Sequence, residues 1–101
     1  MSFIIELTDD AWDDAFQIIK WYDEQKQGLG NVFLDYLDDT LKKIEKVPTA
    51  YKIVYRQVRQ ASLQKFPYVV LYKVVKNTIT VHCIFHTSQD PKKMIKRLRK
   101  K

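Results

Sequence analysis

Cysteine, glycine and proline are scarce in this chain: its 101 residues hold one Cys, two Gly and three Pro. A single Cys excludes a disulfide framework and any cysteine-cluster metal site. So little Gly and Pro excludes collagen-like repeats, loop-rich scaffolds and disorder. No apolar run approaches the roughly 18 residues that a membrane-spanning helix needs. The opening Met-Ser-Phe-Ile-Ile-Glu has no basic n-region, so no secretory signal is expected. The expected compartment is a reducing cytoplasm. Only two His occur, and without a third ligand they predict no metal site. No cofactor is expected either.

Acidic residues are nearly missing from the second half. Residues 51–101 carry 13 Lys/Arg and one Asp/Glu, a net of +12, while residues 1–50 carry 5 Lys/Arg and 11 Asp/Glu, a net of −6. The overall +6 hides this division. A fold that puts the halves on different faces makes a strong electrical dipole, with a basic surface suited to polyanions or an acidic protein. Apolar residues at 46% and aromatics at 13% are enough for one domain spanning 1–101. A chain of this size buries roughly two-thirds of its unfolded surface.

Phe3 to Leu7 reads as a first strand. Thr8 is a good N-cap, and Asp9, Asp10, Asp13 and Asp14 then suit the positive end of a helix dipole rather than a metal. A first helix is expected from Asp9 to Gln25, with Trp12, Ala15, Phe16, Ile19 and Tyr22 on one core-facing stripe. Ile18 and Trp21 widen that stripe. Gly28 and Gly30 break the pattern. A second helix follows from Leu29 to Lys46, its inner set Leu29, Phe33, Tyr36, Leu37, Thr40, Leu41 and Ile44, and Pro48 ends it. The short break implies an antiparallel helical hairpin.

After Tyr51 the period changes. Ile53 to Gln60 and Val69 to Val75 read as strands, and Lys76-Asn77 as a tight turn. Thr78 to His86 alternates: Ile79, Val81, Cys83 and Phe85 are expected against the helices, with Thr80, His82, Ile84 and His86 on a half-open face. Asp90 and Pro91 start a last helix, to which Met94, Ile95 and Leu98 give an apolar side. The fold class is therefore α+β: an N-terminal strand, an antiparallel helical hairpin, a three-stranded antiparallel meander and a short C-terminal helix. The helices cover one face of the sheet, and much of the basic half is expected on the other.

Several pieces occur in a telling order: Gly28-Leu29 with Phe33, Ile44 to Pro48, Val58-Arg59, Phe66-Pro67-Tyr68 with Tyr72, and His86 before Asp90-Pro91. The block from Val58 to Tyr72 is the most specific. With these pieces the chain resembles the RelE/ParE superfamily, the toxic halves of bacterial type II toxin–antitoxin pairs. The resemblance implies growth inhibition in one of two ways. One branch cuts mRNA in the ribosomal A site with basic side chains and often a tyrosine. The ParE-like branch is associated with DNA gyrase and has no established catalytic residues. In both, a cognate antitoxin with an acidic or partly disordered segment wraps the toxin. The free toxin is expected as a monomer or weak dimer.

The chain departs from the ribonuclease pattern. His86-Thr87-Ser88-Gln89-Asp90-Pro91 contains no Arg, and the last helix has no aromatic. The ParE-like reading is therefore favoured over an mRNA endonuclease, and a non-toxic relic that only binds antitoxin or nucleic acid is the third reading. Cleavage through a ribose 2′-OH needs a base, an acid and cations on the phosphorane. Arg59 and Lys65 are the candidate cations and His86 the candidate proton carrier. Arg59, Lys65, Tyr68, His86, Lys92, Lys93, Lys96 and Arg97 are the candidate target- or antitoxin-binding residues. The basic run continues through Arg99, Lys100 and Lys101. Tyr68 and Tyr72 are expected to pack structurally, and Cys83 to be inert in the core.

Overall fold

A computed structural model describes residues 2–99; Lys100 and Lys101 of the basic run lie outside them. Strand β1 (Ile4–Leu7) is followed by α1 (Asp9–Gln25) and α2 (Leu29–Lys46). After a short 3-10 turn at Pro48–Ala50 come β2 (Lys52–Tyr55), β3 (Val58–Ser62), β4 (Tyr68–Val75), β5 (Thr78–His86) and α3 (Pro91–Arg99). The sheet order is β1-β5-β4-β3-β2. β1 lies parallel to β5, and the other pairs are antiparallel. This is the expected α+β architecture with one more strand. The run from Ile53 to Gln60 is two strands, because Arg56 takes a positive φ of 51° and turns β2 back on β3.

Local chemistry accounts for the helix ends. The Thr8 Oγ1 accepts from the Ala11 N–H, and also donates to the His82 carbonyl, so one hydroxyl caps α1 and ties it to β5. Gly28 sits at φ 89°, a conformation open to it without a Cβ. α2 has no side-chain cap of its own; Asp23 of α1 accepts from the Gly30 N–H at 2.8 Å. A Cβ on Gly30 would stand 2.6 Å from the Ile19 carbonyl, so this glycine sets how closely the two helices approach. Asp90 accepts from the Lys92 N–H and starts α3.

Two cores lie on opposite sides of the sheet. The larger lies between hairpin and sheet and includes Ala11, Ala15, Phe33, Leu37, Ile44, Val70, Tyr72, Ile79 and Val81. The smaller, under α3, holds Val58, Val69, Leu71, Cys83, Phe85, Met94 and Leu98. The expected single face of Ile79, Val81, Cys83 and Phe85 is therefore split. Tyr72 pairs with Val81 but Leu71 with Cys83, leaving His82 as the extra residue of a β-bulge. One extra residue reverses the alternation. Ile84 and His86 consequently turn toward the hairpin, while Cys83 and Phe85 face α3. α3 covers the second face at Cys83 and Phe85, while Thr80 and His82 stay half-buried on it as expected.

The stripe on α1 also differs from expectation. Ala11 and Ala15 take the buried positions, while Trp12, Phe16 and Trp21 are about half exposed. Trp12 and Phe16 stack on each other at 5.8 Å. Only small residues fit where α1 lies closest to the sheet.

Candidate functional site

β1 pairs only with residues 78–81 of β5, so the end of β5, paired with β4 on one side, has an open edge on the other. α1 and α3 close over this edge from its two sides. Asp14 of α1 accepts from the Ile84 N–H at 3.0 Å and from Arg97 of α3 at 2.9 Å. Arg97 is thereby a latch between the two layers. Burial pushes its pKa down, but the hydrogen bond and charge of Asp14 outweigh this and the net shift is upward. Asp14→Asn should cost about 1–2 kcal/mol, discounted for the partial exposure of both groups. Hydrogen exchange should then speed up in α3 before α1; uniform exchange would contradict the latch.

The latch borders a cleft of about 420 Å³ lined by Asp14, Gln17, Trp21, Tyr68, His86 and Arg97. A second hollow of about 410 Å³ shares Trp21, Tyr68 and His86 with it and is lined also by Tyr22 and Pro67. The His86 Nδ1 accepts from the Ser88 N–H at 3.0 Å and lies 2.7 Å from its Oγ. With Nδ1 accepting, a neutral ring carries its proton on Nε2. Tyr68 meets the His86 ring edge-on at 4.9 Å. Tyr22 in turn meets the Tyr68 ring edge-on at 6.4 Å. Burial raises both phenols above their ordinary value, so neither serves as a base near neutral pH.

The structure gathers Tyr68, His86 and Arg97 into one cleft and places the other candidates elsewhere. Arg59 donates through Nη1 to the carbonyls of Thr49 and Tyr51, at 3.1 and 2.6 Å. Lys65, at φ 65°, stands 5.8 Å over the Tyr36 ring on the hairpin side. Arg59 pairs with Tyr72, and His86 with Tyr68, on the shared neighbour β4. They are thus four residues apart along the sheet, roughly 13 Å, and two strands apart, roughly 10 Å. Lys92, Lys93 and Lys96 are exposed on α3. Tyr72 is buried with its hydroxyl on the Pro48 carbonyl, and Cys83 is buried in the smaller core. Sequence reasoning missed Asp14 and Trp21 as cleft residues, because helix capping and an apolar stripe explained them locally.

Comparison with known proteins gives the same architecture. The family model of the ParE toxin of the type II toxin–antitoxin system parDE matches residues 5–91. Among solved structures, the chromosomal ParDE TA system from P. aeruginosa aligns with a TM-score of 0.77 at 16% identity. That alignment covers 85% of this chain and 97% of the other. The isolated E. coli RelE toxin aligns with a TM-score of 0.62 at 16% identity, over 95% of this chain and 98% of its own. At such identities these likenesses speak to the fold alone. No curated protein matches the sequence. The family match spans both helices, all five strands except the first residue of β1, and the start of α3, and on it the chain belongs to the ParE toxin family of type II toxin–antitoxin systems.

Proposed function

We propose that the protein arrests growth by docking on a large cellular target, with DNA gyrase favoured, and is neutralised in the cytoplasm by a cognate antitoxin. The observation that carries this reading is the dispersal of the candidate catalytic groups. Arg59 is occupied by backbone carbonyls, Lys65 lies over α2, His86 is remote from Arg59 along and across the sheet, and Arg97, the cation in the His86 cleft, is paired with Asp14. Phosphodiester cleavage needs acid, base and cation within reach of one phosphate. Docking needs only a surface, and Lys92, Lys93 and Lys96 supply an exposed basic one on α3.

Induced expression in a bacterial host tests the reading, with DNA, RNA and protein synthesis followed in parallel. DNA synthesis should fall first, and purified protein should leave ribosome-bound mRNA uncut. Glu at positions 92, 93 and 96 should relieve toxicity at an unchanged melting temperature. Deleting residues 92–101 is a poorer test, because Met94 and Leu98 are buried and Arg97 holds Asp14. Codon-specific mRNA cuts that vanish in His86→Ala would overturn the proposal in favour of the ribonuclease branch.

A further inference from the structure

On the α3 side of the sheet, beside the middle of β5, lies a small cavity of about 100 Å³. Arg56, Lys73 and Arg99 line it, with Tyr55 and His82. They come from the β2–β3 turn, from β4 and from the last described turn of α3. Among the described residues none of the three cations has an ion-pair partner. Arg56 stands over the Tyr55 ring at 5.2 Å. Three like charges around one hollow repel one another, and Lys73 is half-buried. Two further features point at the same spot. The β-bulge in β5 makes His82 the extra residue, beside the cavity; bulges commonly re-aim a side chain next to a site. Arg56 opens the turn at φ 51°, where glycine sits with less strain and a long cation has no local reason to be.

We propose that Arg56, Lys73 and Arg99 form a binding site for a phosphate group of single-stranded nucleic acid. Arg guanidinium forks match phosphate oxygens bidentately, and a Lys adds a point charge. Several cations converging on one small hollow suit a compact tetrahedral anion better than carboxylates strung along an acidic peptide. The site includes none of the cleft residues, so it stands apart from the reading of the cellular target.

Fluorescence anisotropy with a short single-stranded oligonucleotide, bearing a 5′-phosphate or a 5′-hydroxyl, tests the site in the full-length protein. Tighter binding of the phosphorylated form identifies a terminal phosphate as the ligand; equal binding identifies the backbone. Lys73→Gln and Arg99→Gln should each weaken binding about tenfold or more, and each should lower the slope of log affinity against log salt by about one. Arg56→Gly should weaken binding while the melting temperature holds or rises, because glycine relieves the turn. This variant separates binding from folding if the others prove unstable. Inorganic phosphate should shift the backbone amide signals around residues 56, 73 and 82 in the NMR spectrum. Polyglutamate binding as tightly as the oligonucleotide, or full affinity in Arg56→Gly and Lys73→Gln, would overturn the proposal.

Discussion

Phe33→Ala should destabilise the domain by about 3–5 kcal/mol, a large share of what a domain of this size has. Phe33 is fully buried between hairpin and sheet. Its ring stacks on Tyr22 at 5.8 Å and meets Phe66 and Tyr68 edge-on at 5.3 and 5.6 Å. Truncation removes the shared partner of three aromatics from α1 and from the segment leading into β4. These rigid rings cannot collapse into the space, so the cost belongs at the upper end. Phe85→Ala should also cost about 3 kcal/mol or more, but in a different place. Phe85 belongs to the smaller core with Met94 and Leu98, so its loss should expose α3 to proteolysis first. Urea melts and limited proteolysis measure both. A Phe33→Ala protein within 1 kcal/mol of wild type would contradict the packing described above.

The different addresses of these two phenylalanines show where sequence patterning stops being informative. Both long helices were legible to the residue, because Thr8 caps one, Gly28 opens the other, and the inner positions of α2 recur at helical spacing. The apolar alternation of β5 was equally clear, yet its facing was wrong beyond Val81. A bulge adds one residue without altering composition, so nothing in Val81-His82-Cys83 announces it. The β2–β3 turn was missed for a related reason. Arg56-Gln57 contains no Gly, Asn, Asp or Pro, and its positive φ is imposed by strand pairing. On α1 the periodicity was correct but the weighting was not. The helix lies close to the sheet at Ala11 and Ala15, which leaves Trp12 and Phe16 at the surface.

The candidate site was legible in part for the same reasons. Tyr68 and His86 were identified and do share a cleft, but His86 turns toward the hairpin, beside Tyr68, only because of the bulge. Arg97 was read as one cation in a basic run, whereas Asp14 singles it out. No local pattern connects residues 14 and 97; only the topology, which leaves the end of β5 unpaired on the β1 side, brings them together. Arg56 and Lys73 carried no signal, since each is an isolated cation in its own segment.

Stability should fall by on the order of 2–3 kcal/mol between pH 10 and 12 through Tyr72 alone. Burial raises the pKa of this phenol from 10.0 to about 12, with the Arg59 charge lowering it and Tyr51 raising it. Below pH 10 both folded and unfolded chains keep the proton. Between 10 and 12 the unfolded chain releases it and the folded one holds it, so rising pH favours unfolding. The hydroxyl holds its proton against the Pro48 carbonyl at 2.6 Å, while Arg59 grips Thr49 and Tyr51. Together they clamp the link between α2 and β2, which makes Arg59 a structural residue of this link. Tyr72→Phe should cost about 1–3 kcal/mol at neutral pH, since it strands a buried carbonyl, yet it should flatten the alkaline limb. Tyr22 and Tyr68 are shifted in the same direction and should leave a residual slope. Urea denaturation at pH 8, 10 and 11.5 decides the matter: parallel losses in wild type and Tyr72→Phe would mean that the phenol does not hold its proton in the folded clamp.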